Sequence, residues 1–134
     1  MRAEKLKKIV VFGQNVGNIF MATADDRGLP HIGAASRIDL VSEKELAVSA
    51  WFCPGTMENL KKNPRISLVI WDPDKDEGYQ LLGESMGVKE TAMMDGFSPE
   101  LEKQPSMPQI ERKVFVKVET ILDFSNAPHT DQEE

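Results

Sequence analysis

The residues best suited to chemistry lie in one short stretch, where Pro54, Gly55 and Thr56 precede an expected helix over 57–62. Thr56 stands at the predicted N-cap, and Pro64 ends the helix because its ring disfavours the α conformation of the residue before it. A helix start offers unpaired N–H groups, the positive end of the helix dipole and, here, a hydroxyl. The stretch therefore predicts an anion-binding site.

Small residues and an arginine lie in an earlier predicted strand. The sequence GAAS at 33–36 leaves a shallow floor on a sheet, where a flat ring is able to lie against the backbone. Close packing of another strand or subunit is the alternative. Arg37 follows directly, and its planar head either binds a phosphate through two hydrogen bonds or pairs with a carboxylate such as Asp39. Three further cations are expected close to the helix start: Lys61, Lys62 and Arg65.

The remaining reactive side chains give no catalytic constellation. His31 and His129 lie far apart, one in a strand and one near the chain end, so neither a metal site nor a Ser-His arrangement is supported. Cys53 is either activated by the nearby helix dipole and lysines or is a small hydrophobe at a strand end. Trp51 and Phe52 are expected either to stack on the ring of a ligand or to pack in the core or at a subunit interface.

Two stretches imitate known motifs without meeting their requirements. The run at 9–18 places Gly13 and Gly17 after apolar residues, but it lacks the third glycine and the later acidic residue of a dinucleotide fingerprint, which predicts a loop leading into the first strand. The run DPDKDEG would need glycine and glutamate where Glu77 and Gly83 stand if it were a calcium loop. A solvated hairpin loop is predicted there.

Composition bounds the class of protein. A chain of 134 residues suits one domain, and its net charge of −6 argues against a nucleic-acid partner, for which a basic face is expected. A single cysteine excludes an internal disulfide and fits a reducing compartment. No apolar run approaches the length of a membrane span, and MRAEKLKK lacks the apolar core of a signal peptide. A cytoplasmic protein with no membrane partner is expected.

The predicted elements are mainly strands. Alternating or continuous apolar runs, separated by turn residues, predict six strands, at 19–24, 31–40, 46–52, 66–71, 79–88 and 112–124. Short helices are expected at 2–12, at 57–62 and, with Ser98 as N-cap, within an excursion over 89–109. Gly83 marks an expected bulge or close approach. The pattern favours one antiparallel barrel domain over 1–124, followed by a flexible acidic tail over 125–134.

The run PGTMENLKKNPRISLVIW, preceded by FMATADDRGLPHIGAASRIDLV, resembles the flavin-binding split β-barrel family related to pyridoxamine 5′-phosphate oxidase. The resemblance covers about 20–83, and its most specific part is the run from Pro54 to Pro64. It implies a six-stranded antiparallel split barrel with Greek-key connections, which binds FMN in a groove at the interface of a homodimer.

Carried over position by position, the resemblance implies a set of cofactor-binding residues. The phosphate would be bound by Thr56, by N–H groups from Gly55 onward and by Arg37, with Asn59 forming a hydrogen bond nearby. The ring or ribityl chain would be contacted by small residues of two strands: Ala34, Ala35, Ser36, Ser49 and Ala50. No catalytic residue and no metal ligand is implied.

Departures from the family limit what else is expected. Gly55 and Thr56 stand where the oxidase has a pair of basic residues, and the chain ends in DQEE where the oxidase has a basic segment that binds pyridoxine phosphate. Oxidation of vitamin B6 is therefore not expected. The resemblance implies an FMN-dependent oxidoreductase or small electron-transfer protein that uses a small-molecule donor or acceptor. The alternatives are a non-catalytic module that stores or senses a flavin, a barrel that binds haem or a deazaflavin, and an interaction protein without a ligand.

Overall fold

The computed structural model describes residues 2–51, 54–93 and 110–128. The helices in these ranges are α1 (Arg2–Val16) and α2 (Pro54–Lys62). The strands are β1 (Ile19–Ala24), β2 (Pro30–Ala35), β3 (Arg37–Leu40), β4 (Glu45–Trp51), β5 (Arg65–Asp72), β6 (Glu77–Met93) and β7 (Ile110–Asp123). The predicted mainly β class is confirmed. Predictions for Phe52, Cys53, the helix at Ser98, His129 and the last residues of the tail lie outside the described residues.

All strands join one antiparallel sheet in the order β2-β1-β5-β6-β7-β4-β3. β2 and β3 occupy the two edges, yet only Ser36 separates them in the chain. Because one residue spans only about 3.5 Å, the sheet must curl until its edges meet, as in a split barrel.

The closure explains why the described sheet has seven strands and not six. The prediction of one strand over 31–40 was wrong, since the backbone bends at Ser36. Ala35 pairs with Ile19 of β1, whereas Arg37 pairs with Ser49 of β4. Apolar patterning alone does not report such a change of partner.

The core lies inside the curled sheet and is closed by α1. Alternate residues of β1 point inward, with Ile19 and Met21 fully buried beside Leu68 and Ile70 of β5. From α1, the side chains of Leu6, Ile9 and Val10 complete the same cluster. Their spacing places them on one helix face, which explains why this charged segment packs on the sheet.

Helix α1 is longer than predicted, because the residues expected to form a loop continue it to Val16. Gly13 is buried within the helix, where an added Cβ would lie 2.9 Å from Ile38 Cγ2 and from Ile70 Cδ1. The helix ends at Val16 and is followed by Gly17, whose φ of 76° suits a glycine cap and whose N–H donates to the Gly13 carbonyl oxygen over 2.9 Å. Gly13 therefore permits close helix-to-sheet packing.

Strands β6 and β7 form a long ribbon at the centre of the sheet. β6 runs to Met93, so the expected excursion from residue 89 was wrong over its first residues, while residues 94–109 lie outside the described ranges. Register shifts occur between Leu82 and Gly83, between Ser85 and Gly87, and between Glu90 and Ala92. The bulge predicted at Gly83 is confirmed. Bulges increase the local bend and re-aim the side chains near them.

The predicted hairpin loop between β5 and β6 is confirmed, and it holds the chain that follows β7. Asp76 has a positive φ of 50°. Its Oδ1 accepts hydrogen bonds from Trp71 Nε1 over 3.1 Å and from the Asn126 N–H over 2.7 Å, and its Oδ2 accepts one from the Ala127 N–H over 2.8 Å. One carboxylate thus joins the start of β6 to the chain that follows β7, at the same end of the ribbon. None of the described helices is long and apolar enough to cross a membrane.

Candidate cofactor-binding site

Helix α2 begins at Pro54, two residues before the predicted N-cap. The prediction that Thr56 caps the helix was wrong, since Thr56 lies in the first helical turn and Pro54 occupies the position that tolerates a missing N–H. Lys61 and Lys62 lie in the last turn, where cations complement the negative end of the dipole. The sequence suggested that these two lysines add positive charge at the helix start, but they lie at its other end.

Polar side chains connect α2 to the β1–β2 hairpin. Asn59 Nδ2 donates a hydrogen bond to Thr23 Oγ1 over 3.1 Å, and Thr23 is only 4% exposed. Thr56 is fully buried, with its Oγ1 3.5 Å from His31 Nδ1. His31 and Thr23 are paired across the two strands, so they present their side chains on the same face. Thr56 and Asn59, one turn apart, meet this pair.

His31 lies against the start of α2. A Cβ added at Gly55 would lie 2.6 Å from His31 Nε2, so only a glycine lets the ring approach this closely without a shift. The sequence placed His31 in a strand with no functional role, whereas the structure places its imidazole at the predicted anion site. An anion at the first turn would therefore have this ring as a neighbour.

Arg37 belongs to a second group, on the outward face of the sheet. Arg37, Ser49 and Lys113 are register partners across β3, β4 and β7. Arg37 Nη2 donates to Glu111 Oε2 over 2.6 Å, with the arginine side chain 61% exposed and the glutamate side chain 8% exposed. The carboxylate partner of Arg37 is thus Glu111 and not Asp39, because β3 and β7 both pair with β4.

Ser49 is a buried polar residue of this second group, as is Glu111. Its side chain is 2% exposed, and its Oγ has no hydrogen-bond partner among the described residues. Val48 and Ala50 belong to the core cluster, so Ser49 points to the opposite face of β4. A buried hydroxyl without a partner carries a desolvation cost of about 1–3 kcal/mol. A ligand group at this position would remove that cost.

The predicted small-residue floor is divided between two faces. Ala35 and Ala50 are buried in the core cluster, so a ring would contact them only through their backbone. Ala34 is exposed on the opposite face, in register with Phe20, and Ser36 is exposed at the bend. The structure therefore separates the predicted site residues into an α2 group with Gly55, Thr56 and Asn59, and a sheet group with Arg37 and Ser49.

The residues that the sequence prediction missed are neighbours supplied by strand pairing. The turn over 25–29 places Thr23 and His31 opposite one another. Counting residues outward from this turn along both strands would therefore have predicted the pair. Glu111 and Lys113 carried no comparable signal, because β7 lies far along the chain from β3 and β4. Among the described residues, no group of three or more His, Cys, Asp and Glu side chains is placed to bind a metal.

A curled antiparallel sheet whose edge strands follow one another, with a short helix after β4, defines a split β-barrel protein. The chain belongs to the pyridoxamine 5′-phosphate oxidase family, whose model matches residues 6–121. A comparison with curated protein sequences gives no match.

Solved structures with the same fold carry several different ligand descriptions. An FMN-binding protein from Syntrophomonas wolfei aligns with a TM-score of 0.67 and 16% identity over 96% of this chain and 91% of its own. A Clostridium acetobutylicum protein is described as related to general stress protein 26, of the pyridoxinephosphate oxidase family. It aligns with a TM-score of 0.64 and 17% identity over 99% of this chain and 96% of its own. HutZ, the haem storage protein of Vibrio cholerae, aligns with a TM-score of 0.54 and 14% identity over 91% of this chain and 94% of its own. Identities this low support the shared fold alone.

We expect Asn59→Ala to destabilise the protein by about 1–2 kcal/mol, because it leaves the buried Thr23 hydroxyl without its donor. Thr23→Val should remove part of that cost, so the double variant should be less destabilised than the sum of the two single variants. Urea unfolding of the four proteins measures the coupling. Lys62→Ala, on the exposed side of the same helix, is the control. Strictly additive effects would contradict the Asn59–Thr23 interaction.

Proposed function

We propose that this chain is an FMN-binding flavoprotein that acts as a homodimer, as an oxidoreductase or a small electron-transfer protein. Its family membership supports a flavin, and one protein of the same fold is described as FMN-binding. Because those identities are low, the proposal depends on whether the residues of this chain suit the cofactor. Oxidation of pyridoxine phosphate is not part of the proposal.

The observation that carries the proposal is the buried Ser49 hydroxyl, which has no partner among the described residues. The ribityl chain and the ring edge of FMN present hydroxyl, carbonyl and N–H groups, any of which would satisfy it. The neighbouring Arg37 offers five N–H donors, and Glu111 accepts a hydrogen bond from its Nη2. A polar, phosphorylated ring compound fits this combination better than a purely apolar ligand does.

The start of α2 supplies the second half of the proposed site. N–H groups of the first turn, from Gly55 onward, would bind the phosphate, with the Thr56 hydroxyl beside them. The Asn59 amide is engaged with Thr23, so its role is to fix α2 against β1 and thereby to orient these donors. His31 borders the same turn, and its imidazole is a further candidate contact for the phosphate.

The flavin itself supplies the electron-transfer chemistry when it is bound. The contribution of the chain is to bind, to orient and to exclude water. Arg37 offsets phosphate charge while Glu111 fixes its guanidinium, and the buried faces around Ser49 limit access of water. No side chain in either group is assigned a proton-transfer step.

Substitutions at the proposed site test both whether the protein binds FMN and which residues bind it. Ser49→Ala should not destabilise the flavin-free protein, because the lost hydroxyl has no partner, but it should weaken FMN binding by about five- to tenfold. Thr56→Val combined with Arg37→Ala should weaken FMN binding by at least about a hundredfold, since it removes a phosphate hydrogen bond and a charge-assisted one. Quenching of flavin fluorescence on titration measures the FMN affinity of both variants.

Arg65→Ala is the matched control, because it removes an exposed arginine outside the two groups. It should bind FMN as the unchanged protein does. A colourless purified protein whose addition leaves FMN fluorescence unchanged would refute the proposed cofactor. Unchanged FMN affinity in the double variant would refute the site assignment while leaving the cofactor in place.

An exposed apolar surface supports the proposed homodimer. Phe20 of β1 and Ile32 of β2 are 45% and 68% exposed, and both point away from the core on the same face of the hairpin. Leu29, at the turn, is 69% exposed. Large apolar side chains grouped on a surface mark interaction sites.

We expect light scattering to give twice the chain mass of 15.0 kDa, and Ile32→Lys to shift the protein toward the single-chain mass, since a charge would be buried in the contact. Lys8→Glu, at an exposed position of α1, is the control for changed surface charge. A monomer in the unchanged protein would refute the dimer.

Turnover separates an oxidoreductase from a module that stores or senses flavin. Anaerobic addition of NADH or NADPH to the FMN-loaded protein should bleach the flavin absorption if the protein is a reductase, and an added acceptor should restore it. Because the relatives include a haem storage protein, the visible spectrum of the purified protein is the first measurement. Flavin, deazaflavin and haem have distinct spectra, so the spectrum identifies the bound cofactor directly.

A further inference from the structure

A cleft of about 540 Å³ lies on the other flank of α2, between this helix and the β6–β7 ribbon. From the helix it is lined by Met57, Leu60 and Lys61, which follow Thr56 and Asn59 by one or two positions and so project toward a different side. The volume is within the range of about 300–1,000 Å³ that is typical of small-molecule sites. The cleft is separate from both groups of the proposed flavin site.

One part of the described wall of the cleft is apolar. Met57 and Leu60 are partly buried and pack against the core cluster. Across from them, Met86 and Val88 are 57% and 43% exposed. A bulge between Ser85 and Gly87 interrupts the alternation of β6 in this part of the wall. An apolar molecule would cover surface here that is otherwise in contact with water.

A poorly paired arginine lies at the end of this apolar surface. Arg112 is in register with Ala50 and Glu90, and it lies two residues before the buried Val114, so it is on the core side of β7. Its side chain is 21% exposed. Its Nη2 lies 3.8 Å from Glu90 Oε1, which exceeds hydrogen-bonding distance, and the glutamate side chain is itself 65% exposed.

A guanidinium has five N–H donors and is normally satisfied by acceptors when it is largely buried. Within the described part of the chain, Glu90 is the polar side chain that reaches Arg112, and it does so only as a loose ion pair. Lys61, at the rim, is 72% exposed and pairs with Glu58 over 3.5 Å. Because Lys61 already pairs with Glu58, Arg112 is the cation of the described cleft wall that an anion would engage.

We propose that this cleft binds a small amphipathic carboxylate, an aromatic or branched acid whose apolar body lies on Met57, Leu60, Met86 and Val88 and whose carboxylate pairs with Arg112. The carboxylate matches the guanidinium in geometry, forming two parallel hydrogen bonds and displacing the distant Glu90. The inference does not depend on flavin binding, because it uses none of the residues assigned to the flavin.

Calorimetric titration of the full-length protein with phenylacetate tests the site, with 2-phenylethanol as the uncharged probe of similar shape. Phenylacetate should bind at least about tenfold more tightly than 2-phenylethanol, and Arg112→Gln should weaken phenylacetate binding by about ten- to a hundredfold. Arg65→Gln, which removes the same charge at an exposed position of β5, should leave phenylacetate binding unchanged.

Two further variants test the site without removing the arginine. Glu90→Gln should strengthen phenylacetate binding several-fold, because it removes the competing carboxylate. Val88→Trp should weaken it by filling the cleft, and unfolding temperatures of all variants verify that each is folded. No phenylacetate binding up to about 10 mM, equal affinity for both probes, or an unchanged affinity in a folded Arg112→Gln variant would each overturn the proposal.

Discussion

The change of strand partner at Ser36 is the constraint on which the rest of the structure depends. Ala35 is bonded into one edge of the sheet and Arg37 into the other, so a single residue connects edges that an open sheet would separate by five strands. Curling the sheet is the geometry that permits this connection, and it creates an interior that the apolar faces of the strands fill. It also places Arg37 next to Ser49 and, through β4, near Glu111 of β7.

Helix α2 is the second organising element, because its sides have different chemistry. Thr56 and Asn59 bond to residues of the β1–β2 hairpin, whereas Met57 and Leu60 pack against the core cluster. These contacts fix the helix against β1, β2 and the core cluster. Its first turn, with Gly55 under the His31 ring, therefore has a defined orientation, which an anion site requires. The same packing leaves the cleft beside Arg112 on its opposite flank.

Much of the fold was predictable from local sequence, and two of the errors share one physical cause. Alternation of apolar residues located β1 correctly, and turn chemistry located the hairpin after Trp71 and the bulge at Gly83. These two errors arose where tertiary packing overrides a local signal. Gly13 predicted a loop, yet it continues α1 because the helix approaches Ile38 and Ile70 too closely for a side chain. Residues 31–40 have one apolar pattern but two pairing partners, which no local pattern encodes.

By itself, the sequence determined the antiparallel β class, the turn positions and a short helix between two strands, because these follow from side-chain periodicity and from the backbone preferences of glycine and proline. It also singled out Thr56 and Arg37 by residue type and position, and the family resemblance added Asn59 and Ser49. Only the tertiary structure decided what each of them contacts: His31 beside Thr56, Thr23 with Asn59, Glu111 with Arg37, and a buried hydroxyl without a partner at Ser49. The physical reason is that pairing between distant strands and burial are properties of the closed sheet, and neither is carried by neighbouring residues in the chain.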